Sequence, residues 1–104
     1  MAERRTTILL VDDHAVVRQG FRMILSAEPD LEVIGEASNG REAIARAEVL
    51  QPDVVLMDVS MPELNGIEAT RRLLAVAPRA RVLALSMQGD SVYVREILRA
   101  GASR

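Results

Sequence analysis

Ile8-Leu9-Leu10-Val11-Asp12-Asp13 is apolar for four residues and then acidic for two. An unbroken apolar run of this length marks a β-strand buried on both faces, because a strand with one wet face would alternate. Val54-Val55-Leu56-Met57-Asp58 repeats the pattern, four apolar residues closed by an acid. Two such strands predict a parallel sheet covered by helices on both sides, with its polar groups gathered where the strands end.

The intervening segments fit that sheet. Val17, Phe21 and Leu25 recur at four-residue spacing with Arg18 and Arg22 beside them, the stripe of an amphipathic helix that stops before Pro29. Leu31 to Ala37 mixes apolar and polar residues as an edge strand does. Ser38 or Asn39 can cap a second helix with the stripe Ala43, Ala47 and Leu50, ending at Gln51-Pro52. A loop with Pro62 and Gly66 leads to a helix carrying Ile67, Leu73, Leu74 and Val76 up to Pro78. Arg81 to Ser86 reads as a fourth strand, and Asp90 to about Ala102 as a last helix with Gly101 at its C-terminal stop. Strands alternating with helices over short connections give an α/β fold with right-handed crossovers.

A chain of 104 residues supports one hydrophobic core and one domain. With only Phe21 and Tyr93 aromatic, that core rests on Leu, Ile, Val, Met and Ala. The net charge of −2 offers no basic surface for nucleic acid or an anionic membrane. Cysteine is absent, which excludes disulfides and thiolate zinc sites, and no stretch has the length of a signal peptide core or membrane span. A cytoplasmic protein is expected.

Asp12 and Asp13 end the first strand, Asp58 the third and Ser86 the fourth, so these residues should meet at one edge of the sheet. Three carboxylates in one cleft repel one another unless a cation neutralises them. Magnesium suits such a site, because it binds through one or two carboxylates, keeps several waters and accepts a phosphate oxygen.

Val11-Asp12-Asp13, Asp58 with Met61-Pro62 and Gly66, and Ser86 together resemble the response-regulator receiver domains of two-component systems, over essentially the whole chain. The resemblance implies a flavodoxin-like (CheY-like), doubly wound parallel sheet of order 2-1-3-4-5. It also implies that Asp58 is the phosphoacceptor, Asp13 a direct Mg2+ ligand, Asp12 a ligand through water, and the Ser60 backbone carbonyl a further ligand. Ser86 matches the switch hydroxyl, while Ser60 and Gln88 match the positions that tune dephosphorylation. A sensor histidine kinase would be the donor, with the receiver catalysing its own phosphorylation and dephosphorylation rather than acting as a conventional enzyme. Asp12-Asp13-His14, Val17-Arg18-Gln19-Gly20 and Arg99-Ala100-Gly101-Ala102 further resemble the NarL/FixJ subfamily, whose members carry a LuxR-type DNA-binding output domain.

The family pattern also places a lysine at the end of a fifth strand, and this sequence contains none. Residues 1–104 therefore read as a receiver truncated at its C-terminal end, lacking strand 5 and helix 5. On that reading the fourth strand is an open edge, apolar side chains around Val11, Val55 and Leu83 are left exposed, and the chain forms a homodimer or larger species through that edge, by edge pairing or by exchange of elements between copies. The lysine's absence also keeps open a phosphorylation-independent pseudo-receiver that only binds partners. A haloacid-dehalogenase-like phosphatase is disfavoured because Val59-Ser60 follows Asp58, and a nucleotide-binding protein because no glycine-rich loop follows the first strand. His14 reads as a first-turn surface residue, since one imidazole without cysteine partners is a weak zinc signal. Arg71-Arg72 reads as a solvated helix face.

Overall fold

The computed structural model describes residues 5–58 and 66–85. Within them β1 (Thr6–Val11), α1 (Ala15–Ser26), β2 (Leu31–Ala37), α2 (Gly40–Leu50), β3 (Val54–Asp58), α3 (Gly66–Val76) and β4 (Arg81–Leu85) follow in order. The strands form one sheet of order β2-β1-β3-β4, and the pairings β1 with β2, β1 with β3 and β3 with β4 are all parallel. This is the expected doubly wound α/β arrangement over its first four strands. The helix expected from Asp90 to Ala102 lies outside the described residues.

β1 is buried on both faces for the reason its sequence suggests. Leu9 and Val11 join Val55 and Met57 of β3 in a cluster with Ala43 and Ala47 of α2 and Ala69 and Leu73 of α3. Ile8 and Leu10 point the other way, joining Val54 and Leu56 in a cluster closed by Phe21 and Leu25 of α1. Alternation along each strand thus feeds two cores, one per face. It also overturns the expected exposure at Val11 and Val55, which are 1% and 0% exposed. Both side chains point to the face that α2 and α3 cover. Leu83 is half-buried against the α1-side cluster.

The alanines decide how α2 and α3 meet. Ala69, Leu73 and Ala77 are buried at four-residue spacing, whereas Leu74, expected in the stripe, is 36% exposed. Small residues let helices approach closely, so the true stripe of α3 is alanine-rich and opposes the alanines of α2. The helix also begins at Gly66, a residue expected in the preceding loop.

At the opposite end from the acids, Asp53 ties the strand starts together. Its Oδ2 accepts from the Thr7 backbone N–H at 2.8 Å and from the Thr7 hydroxyl at 3.0 Å. The Asp53 carbonyl accepts from the Arg81 N–H at 2.9 Å. These bonds help fix the mutual register of β1, β3 and β4, and with it the alignment of their carboxyl ends.

Asn39 caps α2, its Oδ1 accepting from the Glu42 N–H at 2.8 Å. Glu42 reaches back to the Ser38 N–H at 2.6 Å, a reciprocal arrangement of the capping-box kind. The far end of α2 closes on Gln51, whose φ of 49° lies in the left-handed region. Its Nε2 donates to the Glu48 carbonyl at 2.9 Å and to the Val76 carbonyl at 2.8 Å, so one side chain caps both α2 and α3. Gln51→Ala keeps the backbone strain and loses the bonds, and about 1 kcal/mol of stability should be lost in urea unfolding. Gln51→Gly should cost less, since glycine adopts this φ without strain.

Candidate functional site

The register sets the geometry of the acidic edge. Val11 pairs with Met57, so Asp12 and Asp58, the next residue in each chain direction, leave adjacent strands at the same level. Asp58 is itself the last residue of β3 and pairs with Leu85 of β4. The described part of Asp58 is its backbone. Ser60, Ser86 and Gln88 lie outside the described residues.

Asp12 is buried at 8% exposure, and its backbone N–H donates to the Ala37 carbonyl at 3.0 Å, extending the bonding of β1 with β2 by one step. Its Oδ1 accepts from the His14 N–H at 2.8 Å, serving a donor in the turn that opens α1. Asp13 is exposed. The two neighbouring carboxylates thus differ in solvent access.

His14 does more than the sequence suggests. It is the exposed N-cap of α1, as a first-turn surface residue should be, yet its Nδ1 lies 2.9 Å from Asp13 Oδ1 and 3.2 Å from Asp12 Oδ1. Ligand atoms of Asp12, Asp13 and His14 all fall within 4.8 Å of one another, the one such grouping among the described residues. The two carboxylates supply the hard oxygen donors that magnesium prefers. The imidazole is not a donor that magnesium requires.

A second charged group borders the acids. Glu36 of β2 accepts from Arg18 Nε at 2.9 Å and from Arg22 Nε at 2.7 Å. The Arg22 hydrogen bond holds the Glu36 carboxyl below its ordinary value; burial opposes this, and Arg18 adds to the lowering. A depressed carboxyl stabilises the fold above its unfolded value of 4.5 and loses that contribution as pH falls through the folded value. The stability gap between the wild type and Glu36→Gln should therefore be present at neutral pH and shrink in thermal melts below pH 4.5. Arg71 and Arg72 are exposed, as expected of a solvated face. Among the described residues no helix is long and apolar enough to cross a membrane.

Comparison with known proteins defines the class. The sequence profile of the response regulator receiver domain matches residues 8–104, and the chain belongs to that family. It is 43% identical over 101 residues to the transcriptional regulatory protein DegU of Brevibacillus brevis, covering 97% of this chain and 43% of that protein. Among solved structures, a LuxR-family two-component response regulator from Aurantimonas sp. SI85-9A1 superposes with a TM-score of 0.73 at 37% identity, covering 95% of this chain and 71% of that one. CheY6 of R. sphaeroides, solved in complex with the P1 domain of CheA3, is represented by a match with a TM-score of 0.70 at 27% identity, covering 92% of this chain and 78% of that one. The chain spans less than half the length of DegU and of the YxjL and YhcZ regulators of Bacillus subtilis, of which it covers 47% and 44%.

Proposed function

We infer that this receiver domain is a phosphorylation switch that accepts a phosphoryl group on Asp58 from a phosphohistidine of a sensor kinase. The observation that carries the reading is the Val11 to Met57 register, which brings the Asp12-Asp13 pair and the end of β3 to one edge of a receiver-family sheet. An oxygen of the Asp58 carboxylate attacks phosphorus in line, the new O–P bond forming as the N–P bond of phosphohistidine breaks. The imidazole leaves with the electron pair. Asp13, Asp58 and the Ser60 carbonyl would hold Mg2+ directly and Asp12 through water; when bound, the ion offsets charge on the transferring oxygens. Ser86 would hydrogen-bond the new phosphate, and Ser60 and Gln88 would flank the path of the water that later hydrolyses it.

The about −1.5 to −2 charge added by phosphate is the signal, a local electrostatic event that biases a two-state element. The relatives named as transcriptional regulators are more than twice this chain's matched length, which supports a LuxR-type DNA-binding output domain as the recipient of the signal. Such a switch works in the cytoplasm. Intact-mass measurement of the protein after incubation with acetyl phosphate should give one phosphoryl adduct, abolished by chelating magnesium. An unmodified mass at saturating donor and magnesium would instead favour the pseudo-receiver.

A further inference from the structure

Arg18 lies on the amphipathic face of α1, but its side chain is only 18% exposed and is spent on two partners. Its Nη1 donates to the backbone carbonyl of Asp12, while its Nε donates to Glu36 Oε1. Glu36 is itself held from the other side by Arg22 and stands next to Ala37, whose carbonyl takes the Asp12 N–H. The Asp12 backbone is thus gripped at its N–H by β2 and at its C=O by Arg18 of α1, which Glu36 of β2 holds in turn. That carbonyl belongs to the peptide plane joining Asp12 to Asp13. Its orientation fixes ψ of the first acid and φ of the second, and therefore the separation of their carboxylates.

We propose that Arg18 is a positioning residue of the acidic site, setting the Asp12 and Asp13 carboxylates at the spacing a divalent cation needs. The inference rests on reading that site as a magnesium site. It makes a prediction opposite in sign to simple electrostatics. Removing a cation near two carboxylates should tighten Mg2+ binding if charge alone mattered. If positioning matters, removal weakens binding, as loss of outer partners of metal ligands does, by about tenfold or more. Lysine keeps the charge but lacks the planar fork that serves two acceptors at fixed geometry.

Magnesium titration of the intact protein, followed by amide NMR shifts of Asp13 and His14, tests this directly. Arg18→Gln should bind Mg2+ about tenfold more weakly than the wild type, and Arg18→Lys should fall between them. Unchanged or tighter binding in Arg18→Gln, or wild-type affinity in Arg18→Lys should the glutamine variant not fold, overturns the positioning role alone. A wild-type protein with no saturable response to magnesium overturns the magnesium reading together with this one.

Discussion

Asp58→Asn should eliminate the phosphoryl adduct entirely while leaving the domain folded. Asparagine has nearly the shape of aspartate, so the backbone pairing of this position with Leu85 at the end of β3 is preserved. Its amide oxygen carries no negative charge and is a far weaker nucleophile toward phosphorus. On the reading that gathers Asp58 with Asp12 and Asp13, stability should hold or rise, since neutralising one acid lowers the repulsion among them. The comparison needs acetyl phosphate and magnesium at concentrations that fully modify the wild type, with melting curves on both proteins. Retention of an adduct by the folded variant would reassign the acceptor, and fragment mapping would locate it.

The largest stability effect is expected from Leu73→Ala. Leu73 is fully buried in the α2/α3-side cluster, where many of its companions are alanines: Ala43 and Ala47 on α2, Ala69 on α3 and Ala77 just beyond its end. Alanine side chains have no rotamers with which to fill a void. The cavity left by the isobutyl group should persist, placing the cost toward the upper part of the roughly 2–5 kcal/mol range for such truncations. Against a total stability of about 5–15 kcal/mol, that is a large fraction. Urea unfolding should show a much lower midpoint with an unchanged slope. Loss below about 1 kcal/mol would mean that α3 slides in to close the gap, and that the alanine seam is softer than its packing implies.

The seam also shows what sequence could and could not reveal. Ile8 to Val11 and Val54 to Met57 declared themselves because burial on both faces removes every polar residue from a strand. The shared edge of the acids that follow them was legible because strand ends converge in a parallel sheet. Leu74 was misplaced in the stripe because hydrophobicity alone ranks leucine above alanine, while close helix approach selects the reverse. The pairing of Arg18 with Glu36 has no sequence signature, since residues 18 apart give no local sign that they will meet. His14 touching both acids depends on the turn after β1, which propensity does not encode.

One irregularity in β2 ties these observations together. The partner of Ile8 is Val33, but the partner of Leu9 is Gly35, so Ile34 is an extra residue and the strand bulges there. Before the bulge, Leu31 and Val33 face α1; after it, Gly35 and Ala37 face α2, with a Cβ at Gly35 falling 2.6 Å from Leu50 Cδ1. The inserted residue reverses which of two alternating positions looks up and which looks down. Glu36 consequently meets the arginines of α1 instead of the alanines of α2. Strand length here is an address: were Ile34 kept in step with Leu9 instead of bulging, Glu36 would turn to the α2 face, and the bulge, by absorbing the extra residue, keeps the carboxylate that anchors Arg18 on the α1 side of the sheet.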